Sequence, residues 1–419
     1  MNSATIRDEV HQQLEQIGQA DIVVGIPSFN SARTIGHVVR AVQAGLAKYF
    51  PSYKAVIVNS DGGSTDGTLD VVRNAAIEDF DAILLHQRVA PIAKLAFPYS
   101  GIPGKGSAFR SVFQIAQALD AKACAVVDSD LRSITPEWLE LLLKPVLDGG
   151  FDYVAPLYHR HKFDGTITNS IVYPLTRALY GKRVRQPIGG DFGFSGKLAQ
   201  FYLTKEVWES DVARFGIDVW MTTTALANGF KVAQSFLGAK IHDAKDPGAD
   251  LSDMLYQVVS ATFDLMENYR DAWVPVLGSE PVATFGFEYA VGLEHVNVNT
   301  ARMLHIFREG VRNLREIWLD ILGSGDLAEV ERLAAADEAE FRFPPGLWAH
   351  IVYDYAIAFH LRKLPAEHLI KSLTPLYIGK TASFVLEAEN MSQQEAEAEI
   401  EKLCMEFESR KDYLTSSWK

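Results

Sequence analysis

Two carboxylates one residue apart end an apolar run, where Cys124-Ala125-Val126-Val127 is followed by Asp128-Ser129-Asp130. An apolar, β-branched run of this length predicts a buried strand of a mostly parallel sheet. Open α/β sheets bind ligands at the carboxyl ends of such strands. Alternate residues of an extended chain point to the same side, so Asp128 and Asp130 can face one ligand. Carboxylate oxygens suit Mg2+ or Mn2+, with a nucleotide diphosphate completing the shell. The alternative is a solvated acidic turn leading into a helix that begins near Ser133 or Thr135.

Polar turns also follow the first two predicted strands. Pro27-Ser28-Phe29-Asn30 follows residues 22–26, and Asn59-Ser60-Asp61-Gly62-Gly63-Ser64-Thr65-Asp66 follows residues 55–58. Because the carboxyl ends of parallel strands meet at one edge of a sheet, we expect these turns and the Asp128 turn to form one nucleotide site. The first turn lacks the G-x-G-x-x-G pattern of dinucleotide-binding folds, and the sequence contains no G-x-x-x-x-G-K-[ST] phosphate loop.

Further segments have residue types that suit a phosphorylated sugar or a small anion. Lys105, between Gly104 and Gly106, precedes a predicted helix, so it could face a diphosphate beside the helix N-terminus; the loop equally suits an ordinary helix start. Residues 163–169 form either an anion cradle or a plain Asp-Gly turn. Gly189-Gly190-Asp191 indicates close backbone approach to a ligand. His242 is structural in the ordinary case, and it becomes a candidate metal ligand only in company with Asp130.

Strands and helices alternate through the first part of the chain. Strands are predicted at 22–26, 55–58, 82–85, 124–127, 151–156 and 231–236, and helices at 5–18, 34–46, 67–77, 105–119, 136–147, 170–180 and 217–228. This alternation predicts βαβ units and a doubly wound α/β sheet. From about residue 250 the pattern becomes almost entirely helical. We therefore predict an N-terminal helix over residues 1–20, an α/β domain over 21–265 and a helical C-terminal domain over 266–419.

The composition is that of an ordinary globular protein, with 48% hydrophobic and 22% charged residues among 419. A net charge of −13 argues against nucleic acid or an anionic membrane as a general partner. The two cysteines, Cys124 and Cys404, lie far apart, which favours a reduced, cytoplasmic protein. No apolar run approaches the length of a membrane span, and the polar N-terminus does not have the pattern of a signal peptide.

The order and spacing of these motifs resemble those of GT-A-fold glycosyltransferases. The matching segments are Pro27 to Asn30, Asp61 to Asp66, Gly104 to Gly106, Asp128 to Asp130, Gly189 to Asp191, Gly216 to Asp218, and His242. The chain looks most similar to the retaining glycosyltransferase family 81, which includes glucosyl-3-phosphoglycerate synthases, mannosyl-3-phosphoglycerate synthases and relatives that make glucosylglycerate. The resemblance covers roughly residues 20–265. It implies a GT-A fold, with a Rossmann-like, mostly parallel sheet, followed by a helical C-terminal domain.

The resemblance also implies a role for each matched residue. Pro27, Phe29 and Gly62 would line the base and ribose pocket, Asp61 would hold the base, and Asn30, Ser31 and Ser129 would complete the donor contacts. Gly189, Gly190 and Asp191 would form the sugar pocket, and Gly165, Thr166, Thr168 and Asn169 the acceptor loop. Asp130 and His242 would bind Mg2+ or Mn2+. The catalytic set would be Lys105 on the diphosphate, Asp128 on the ribose or sugar, and Asp218 near the sugar and acceptor.

Two positions depart from the family pattern. Ser31 stands where the family usually has an acidic residue, which weakens the expected ribose contact. Thr166 stands where members that use phosphoglycerate have an arginine, the side chain expected opposite a phosphate. A plain glycerate acceptor is therefore favoured over 3-phosphoglycerate, unless Arg160, His161 or Lys162 substitutes for the missing arginine.

The expected function is metal-dependent, retaining transfer of glucose or mannose from a UDP- or GDP-sugar to the hydroxyl of D-glycerate or 3-phosphoglycerate. The resemblance implies biosynthesis of a compatible solute, and we expect a homodimer whose partners are the nucleotide-sugar donor and a small anionic acceptor. The alternatives are another small acceptor, a sugar nucleotidyltransferase and a non-catalytic sugar-nucleotide sensor. Nucleotidyltransferases have a glycine-rich, arginine-containing loop after the first strand, which Pro27 to Asn30 does not match.

Overall fold

The computed structural model describes residues 8–75, 90–214, 216–241, 252–289, 292–293 and 296–418. Their contacts form two units. The first, which we call the sheet unit, lies within residues 1–159, 188–243 and 282–292; the second, the helical unit, lies within residues 160–187, 244–281 and 293–419. Within the described residues, no helix combines the length and apolar character that crossing a membrane requires.

Ten strands are described. They are β1 (Ile22–Ser28), β2 (Ala55–Asp61), β3 (Ile92–Pro98), β4 (Ala123–Val126), β5 (Tyr153–His159), β6 (Lys182–Arg183), β7 (Phe192–Ser195), β8 (Val232–Ala239), β9 (Glu280–Pro281) and β10 (Ala283–Phe285). Eight of them form one sheet in the order β10-β8-β5-β7-β4-β1-β2-β3, and β6 pairs with β9 in the helical unit. All neighbours in the large sheet are parallel except β7, which runs antiparallel to β4 and β5.

The helices of the sheet unit are α1 (Asp8–Ile17), α2 (Ile35–Tyr49), α3 (Thr68–Asn74), α4 (Lys105–Ala118), α5 (Glu137–Leu147), α7 (Gly196–Leu203) and α8 (Ile217–Ala227), while α6 (Tyr173–Tyr180) belongs to the helical unit. All seven residues of β1 are buried, as expected for a central strand covered on both faces. Helix α4 packs so closely on β1 that a Cβ on Gly25 would lie 2.6 Å from a methyl group of Val112. The other face is packed by α2 and α5, whose Val38 and Leu139 share one apolar cluster with Val24.

The strand register brings the candidate residues to one edge. Ser28 pairs with Asp61 across β1 and β2, so the turns that follow these strands start level with each other. Strand β4 ends at Val126, which pairs with Phe192 at the start of antiparallel β7. Residues just before β7 are thereby brought beside residues just after β4.

The helical unit contains the remaining helices. They are α9 (Ser252–Asn268), α10 (Arg270–Trp273), α11 (Thr300–Asn313), α12 (Arg315–Ile321), α13 (Ser324–Ala335), α14 (Pro345–His360), α15 (Ala366–Ala388), α16 (Gln393–Ser409) and α17 (Lys411–Ser417). Helix α6 is fixed to the C-terminal helices by Arg177, whose side chain is 1% exposed and donates to Glu401 at 2.8 Å and Glu408 at 2.6 Å. The indole of Trp348 donates to the Ser170 carbonyl at 2.7 Å.

The predicted α/β class, with a mostly parallel sheet and a C-terminal helical region, is confirmed. The division into units differs from the predicted boundaries after residues 20 and 265. Helix α1 belongs to the sheet unit, and residues 160–187 belong to the helical unit because α6 packs on C-terminal helices. The strand predicted at 82–85 lies outside the described residues, and the edge strand β3 occupies a stretch that was predicted to be loop.

Candidate active site

The turns after β1 and β2 are joined by hydrogen bonds. The Asn30 amide N–H donates to the Ser64 hydroxyl at 2.8 Å, and the Thr65 N–H donates to the Asn30 side chain at 3.0 Å. Asn30 has a positive φ of 48°, a conformation that asparagine tolerates better than most residues. Pro27 is buried within β1, while the ring of Phe29 is 64% exposed at the tip of the turn. The pair of turns therefore presents an aromatic face on a fixed backbone.

Asp61 is fully buried beneath these turns. One carboxylate oxygen accepts from the hydroxyls of Ser28 and Ser64, both at 2.7 Å, and the other accepts from the backbone N–H of Gly63 at 2.9 Å and Ser64 at 2.7 Å. The carboxylate therefore stabilises its own loop, and the contact with a base that was predicted for it stays a prediction. A Cβ on Gly62 would lie 3.1 Å from the Phe29 ring, so these two predicted base-pocket residues do lie together.

The segment from Asp128 to Asp130 is a turn and not an extension of β4. Ser129 is held from the β1 side: its hydroxyl lies 2.9 Å from that of Ser31, and its carbonyl accepts from Thr34 at 2.8 Å. The two carboxylates consequently differ in environment, because Asp130 is exposed while Asp128 is partly buried. The alternation expected of an extended chain does not apply here, although both side chains remain at the same edge of the sheet.

Asp128 is bound by two lysines. Lys105, the first residue of α4, lies 2.8 Å from one carboxylate oxygen, and Lys240, just after β8, lies 2.7 Å from the other. Burial alone would raise the pKa of Asp128, but the two ammonium groups lower it well below its usual range. Asp128 is therefore ionised at every physiological pH.

Lys240 also binds the segment before β7. Its ammonium lies 2.9 Å from Asp191 and donates to the Gly189 carbonyl at 2.8 Å. Asp191 is fully buried and accepts further hydrogen bonds from the Tyr158 hydroxyl and, at 2.8 Å, from the Asp128 N–H. The predicted sugar-pocket residues are thus tied to the Asp128 turn through a lysine that the sequence analysis did not select. Its position directly after a strand, in Ala239-Lys240-Ile241-His242, was the signal that could have identified it.

Gly190 lies against two charged groups, the Asp128 carboxylate and the Lys105 ammonium. It has a φ of +89°, which favours glycine. A Cβ at this position would collide with the Asp128 carboxylate and lie 3.1 Å from the Lys105 ammonium. The backbone of Gly190 therefore approaches the ion pair closely, and the approach to a ligand predicted for Gly189-Gly190 stays a prediction.

Asp218 lies in the first turn of α8, where its carboxylate is 3.1 Å from Lys105. Burial raises the pKa of Asp218; Lys105 acts to lower it and Asp128 to raise it, with a net increase. Burial alone would lower the pKa of Lys105, but Asp128 and Asp218 raise it well above its usual value. The second oxygen of Asp218 is buried and has no hydrogen-bond partner in the described part of the chain. It is an acceptor suited to a sugar or acceptor hydroxyl.

The metal prediction rests on Asp130 and His242, and His242 lies outside the described residues. Among the residues that are described, no three His, Cys, Asp or Glu side chains form a metal-binding group. The donor chemistry at Asp130 nevertheless fits Mg2+ or Mn2+, because it is an exposed carboxylate beside the site, and such ions bind through few protein carboxylates plus substrate phosphates.

The predicted acceptor loop belongs to the helical unit. Thr166 is 7% exposed, and its hydroxyl lies 2.5 Å from that of Tyr377. Asn169 accepts from Arg185 at 2.9 Å and donates to the Asp164 carbonyl at 3.1 Å. Thr168 is buried at the start of a single π-helical turn, Thr168–Val172, and Gly165 has a φ of +68°. In this structure Thr166 therefore contacts helix α15, and Asn169 contacts Arg185 and the backbone of Asp164.

No protein-family model matches the chain. Two solved structures of glucosyl-3-phosphoglycerate synthase from Mycobacterium tuberculosis are similar to it. One is a complex with Mg2+ and UDP and the other a complex with Mn2+, UDP-glucose and phosphoglyceric acid; for each, the identity is 21%, the match covers 62% of this chain and 83% of that chain, and the TM-score is 0.43.

In sequence, the chain is similar to the glucosyl-3-phosphoglycerate synthase of Petrotoga mobilis. The two are 22% identical over an alignment of 276 residues, and the match covers 61% of this chain and 77% of that protein. The match confirms the resemblance to this kind of glycosyltransferase that the motifs predicted.

Proposed function

We propose that the protein is a metal-dependent, retaining glycosyltransferase that moves glucose from UDP-glucose to the hydroxyl of a glycerate-type acceptor. The observation that carries the proposal is the Asp128 carboxylate, which Lys105 and Lys240 hold between them at the carboxyl ends of parallel strands, next to the exposed Asp130. Nucleotide sugars bind at this edge in open α/β sheets. The similarity to the Petrotoga synthase supports the choice of a glucosyl donor and a glycerate-type acceptor.

The base of the donor would stack on Phe29. Its ring is 64% exposed, and hydrogen bonds between the turns after β1 and β2 fix the backbone that carries it. An aromatic face gives up little conformational entropy on binding a flat base, because two torsions define it.

Charge explains why a divalent metal is part of the proposal. Asp128, Asp130, Asp191 and Asp218 outnumber Lys105 and Lys240, so the ionised group carries a net charge of −2. A diphosphate is repelled by such a surface unless a cation intervenes. Asp130, with His242 as its predicted companion, would hold the metal, which would stabilise negative charge on the leaving diphosphate.

The chain's own residues supply the remaining steps. Lys105 stands at the N-terminus of α4, where its ammonium and the first backbone N–H groups favour a phosphate. Asp218 would accept a hydrogen bond from a donor or acceptor hydroxyl through its buried second oxygen. The acceptor hydroxyl oxygen would bond to the anomeric carbon on the face from which the bond to the diphosphate breaks, and its proton would pass to the leaving phosphate oxygen, which preserves the anomeric configuration.

For the acceptor, we favour D-glycerate over 3-phosphoglycerate. Thr166 replaces the arginine expected opposite a phosphate. Of the neighbouring basic residues, Lys162 donates to three backbone carbonyls, those of Ala388, Glu389 and Met391, and Arg160 lies 3.7 Å from Asp164. Lys162 and Arg160 therefore already bind groups of the helical unit, so neither is held ready for a phosphate. This supports an acceptor that lacks the phosphate.

We also place the reaction in the cytoplasm, as a step of compatible-solute synthesis by a homodimer. Cys124 and Cys404 are both free thiols, which suits a reducing compartment.

The test is a transfer assay on the purified chain with Mg2+ or Mn2+, with products identified by mass. UDP-glucose and GDP-mannose are each offered with D-glycerate and with 3-phosphoglycerate, and one arm contains a chelator. We expect product from UDP-glucose and D-glycerate, and none with the chelator. Product from 3-phosphoglycerate alone would reject the acceptor assignment. The absence of any transfer, even with metal present, would reject the function.

A further inference from the structure

Strand β8 contains a β-bulge just before Lys240. Phe236 pairs with Leu157 of the parallel strand β5. The next residue of β5, Tyr158, pairs with Gly238, so β8 has one residue more than β5 at this point. Bulges beside active sites often change the direction in which a side chain points. The direction of Lys240 can therefore depend on this extra residue.

The two faces of β8 can be distinguished by what its side chains contact. Ser235 faces helix α5, because its hydroxyl donates to the Leu141 carbonyl at 2.7 Å. Phe236, the next residue, faces the opposite side, where its ring stacks on His159 with 6.4 Å between the ring centroids. If the alternation of a regular strand continued, every second residue after Phe236 would face that side too. Lys240 would then point away from α5.

The structure places Lys240 on the α5 side instead. Its ammonium lies 5.3 Å from the centre of the Tyr158 ring, and this ring packs on Trp138 of α5 with 5.5 Å between centroids. The Tyr158 hydroxyl donates to Asp191, the carboxylate that Lys240 binds at 2.9 Å. The extra residue thus reverses the alternation. Without it the ammonium would point away from both Asp191 and Asp128.

Gly238 has the backbone conformation on which this bulge depends. Its φ is +78°, in the left-handed region that glycine adopts readily. A Cβ at this position would also lie 2.5 Å from the hydroxyl of Tyr289, in the segment that follows β10. A β-branched residue is the least suited to such a φ, so valine at this position should favour a regular strand.

We propose that Gly238 is a positioning residue for glycosyl transfer, because the bulge that it permits directs Lys240 to the catalytic face of the sheet. This inference rests on the proposed function for the part that Lys240 has in the reaction. The direction of the lysine side chain itself can be measured without any transfer. What matters is the number of residues between Phe236 and Lys240, combined with the presence or absence of the bulge.

The test is reductive methylation of the full chain with formaldehyde and cyanoborohydride, read by peptide mass spectrometry. The Lys240 side chain is 5% exposed and should resist methylation, whereas that of Lys122 is 67% exposed and serves as the internal reference. In Gly238→Val, Lys240 should be methylated as fully as Lys122. The value of kcat/KM for UDP-glucose should fall at least about tenfold, since charged hydrogen bonds in the site are lost.

Deletion of Gly238 has the opposite expected result. Lys240 then becomes the third residue after Phe236, so a regular strand without a bulge places it on the α5 side. Lys240 should stay protected, and the deletion variant should transfer faster than Gly238→Val. A glycine needed only for general stability predicts the reverse, because the deletion removes it as completely as the substitution does.

Gly229→Val is the matched control, with circular dichroism to check the folding of every variant. Its φ of +73° gives a similar backbone penalty, but nothing lies within 4 Å of the new Cβ, so Lys240 should stay protected. Protection of Lys240 in folded Gly238→Val, or its methylation in the folded deletion variant, would overturn the proposal. If Gly238→Val does not fold, the deletion variant decides alone. A lack of transfer by the unaltered chain would reject the proposed function, while the methylation pattern would still decide the direction of Lys240.

Discussion

Each oxygen of the Asp128 carboxylate is paired with a different lysine, and each lysine is paired with a second carboxylate, Asp218 for Lys105 and Asp191 for Lys240. These four ion pairs therefore fix the relative positions of α4, α8, β8 and the segment before β7. Because the ion pairs already hold these side chains in place, the side chains need little rearrangement when the transition state forms, and this favours catalysis.

Gly190→Ala tests the closeness of this packing. The new Cβ would collide with Asp128, and we expect kcat/KM for transfer to fall by about 100-fold, since displacements near 1 Å have such effects. The measurement is steady-state kinetics, with circular dichroism to check folding.

Gly229→Ala is the matched control for this substitution. Its φ of +73° imposes a similar backbone penalty, but nothing lies within 4 Å of the new Cβ. If Gly229→Ala lost as much activity as Gly190→Ala, backbone strain and not crowding of the ion pair would be responsible.

Lys240→Met tests whether the lysine that motif analysis did not select holds the site together. It would leave Asp191 fully buried with one partner fewer, and breaking a buried pair costs about 3–5 kcal/mol. We expect a clear fall in the urea midpoint and a weaker affinity for UDP-glucose. Lys122→Met, which removes an exposed ion pair with Asp21, should change neither by a comparable amount; similar effects in both variants would deny Lys240 a special role.

Sequence reasoning found the charged centre of this site but not all of its connections. Asp128, Lys105 and Asp218 stand in recognisable motifs and do lie together. Lys240 has no motif or periodicity of its own, and its importance comes from the strand order that places β8 near β7. The role of Asp61 also depends on geometry, because a carboxylate in a polar turn can face either a ligand or the backbone.

At the scale of elements, the turns after β1 and β2 act as one support. Their strands are in register from Ile22 opposite Ala55 to Ser28 opposite Asp61, and Asp61 then collects four hydrogen bonds from the turn region. The exposed Phe29 ring is thus carried by a loop whose shape depends on a buried carboxylate.

Asp61→Ala should therefore loosen the donor site without touching the charged centre. We expect KM for UDP-glucose to rise about tenfold, since several hydrogen bonds of about 1 kcal/mol each are lost, while kcat changes by less than about threefold. Initial-rate kinetics over a range of donor concentrations separate the two constants.

Asp70→Ala is the comparison, because this exposed carboxylate on α3 pairs only with its neighbour Arg73 among the described residues. It should leave both constants unchanged. A fall in kcat for Asp61→Ala with an unaltered KM would contradict a supporting role.

The sequence analysis predicted strands β1, β2, β4, β5 and β8 but not β3, β7 and β10. Strands β1, β2 and β4 are buried throughout and each begins with an apolar run, which is the pattern of parallel strands covered on both faces. Strand β3 is only partly buried and includes Lys94, as an edge strand can, and β7 has four residues including a glycine. Short and mixed segments of this kind acquire their structure from neighbours that are distant in sequence.

At the scale of the whole molecule, the two units interleave along the chain. Residues 160–187 leave the sheet unit and contribute α6 to the helical unit before the chain returns to the sheet at residue 188. Binary patterning identifies α6 as a helix, but it cannot say that the partners of Arg177 are Glu401 and Glu408. The predicted boundary at residue 265 falls within α9 (Ser252–Asn268), all of which belongs to the helical unit.

A fragment of residues 1–265 tests this interleaving. It would contain Arg177 and the apolar face of α6 without the helices that cover them, so we expect it to be aggregated or partly unfolded. Near-ultraviolet circular dichroism and limited proteolysis, with the full chain as reference, provide the measurement. A fragment with a cooperative thermal transition would show instead that α6 is dispensable for folding of the first 265 residues.

The partners of Arg177 have a consequence for the order in which the protein can be made. Glu401 follows Arg177 by 224 residues in the chain. At ~5–20 residues per second, the ribosome adds that glutamate on the order of 10–45 s after the arginine. During this interval α6 has been synthesised, but the glutamates that bind its Arg177 have not. The helical unit can therefore be completed only after Glu401 has been added, later than a domain whose partners are close together in the sequence.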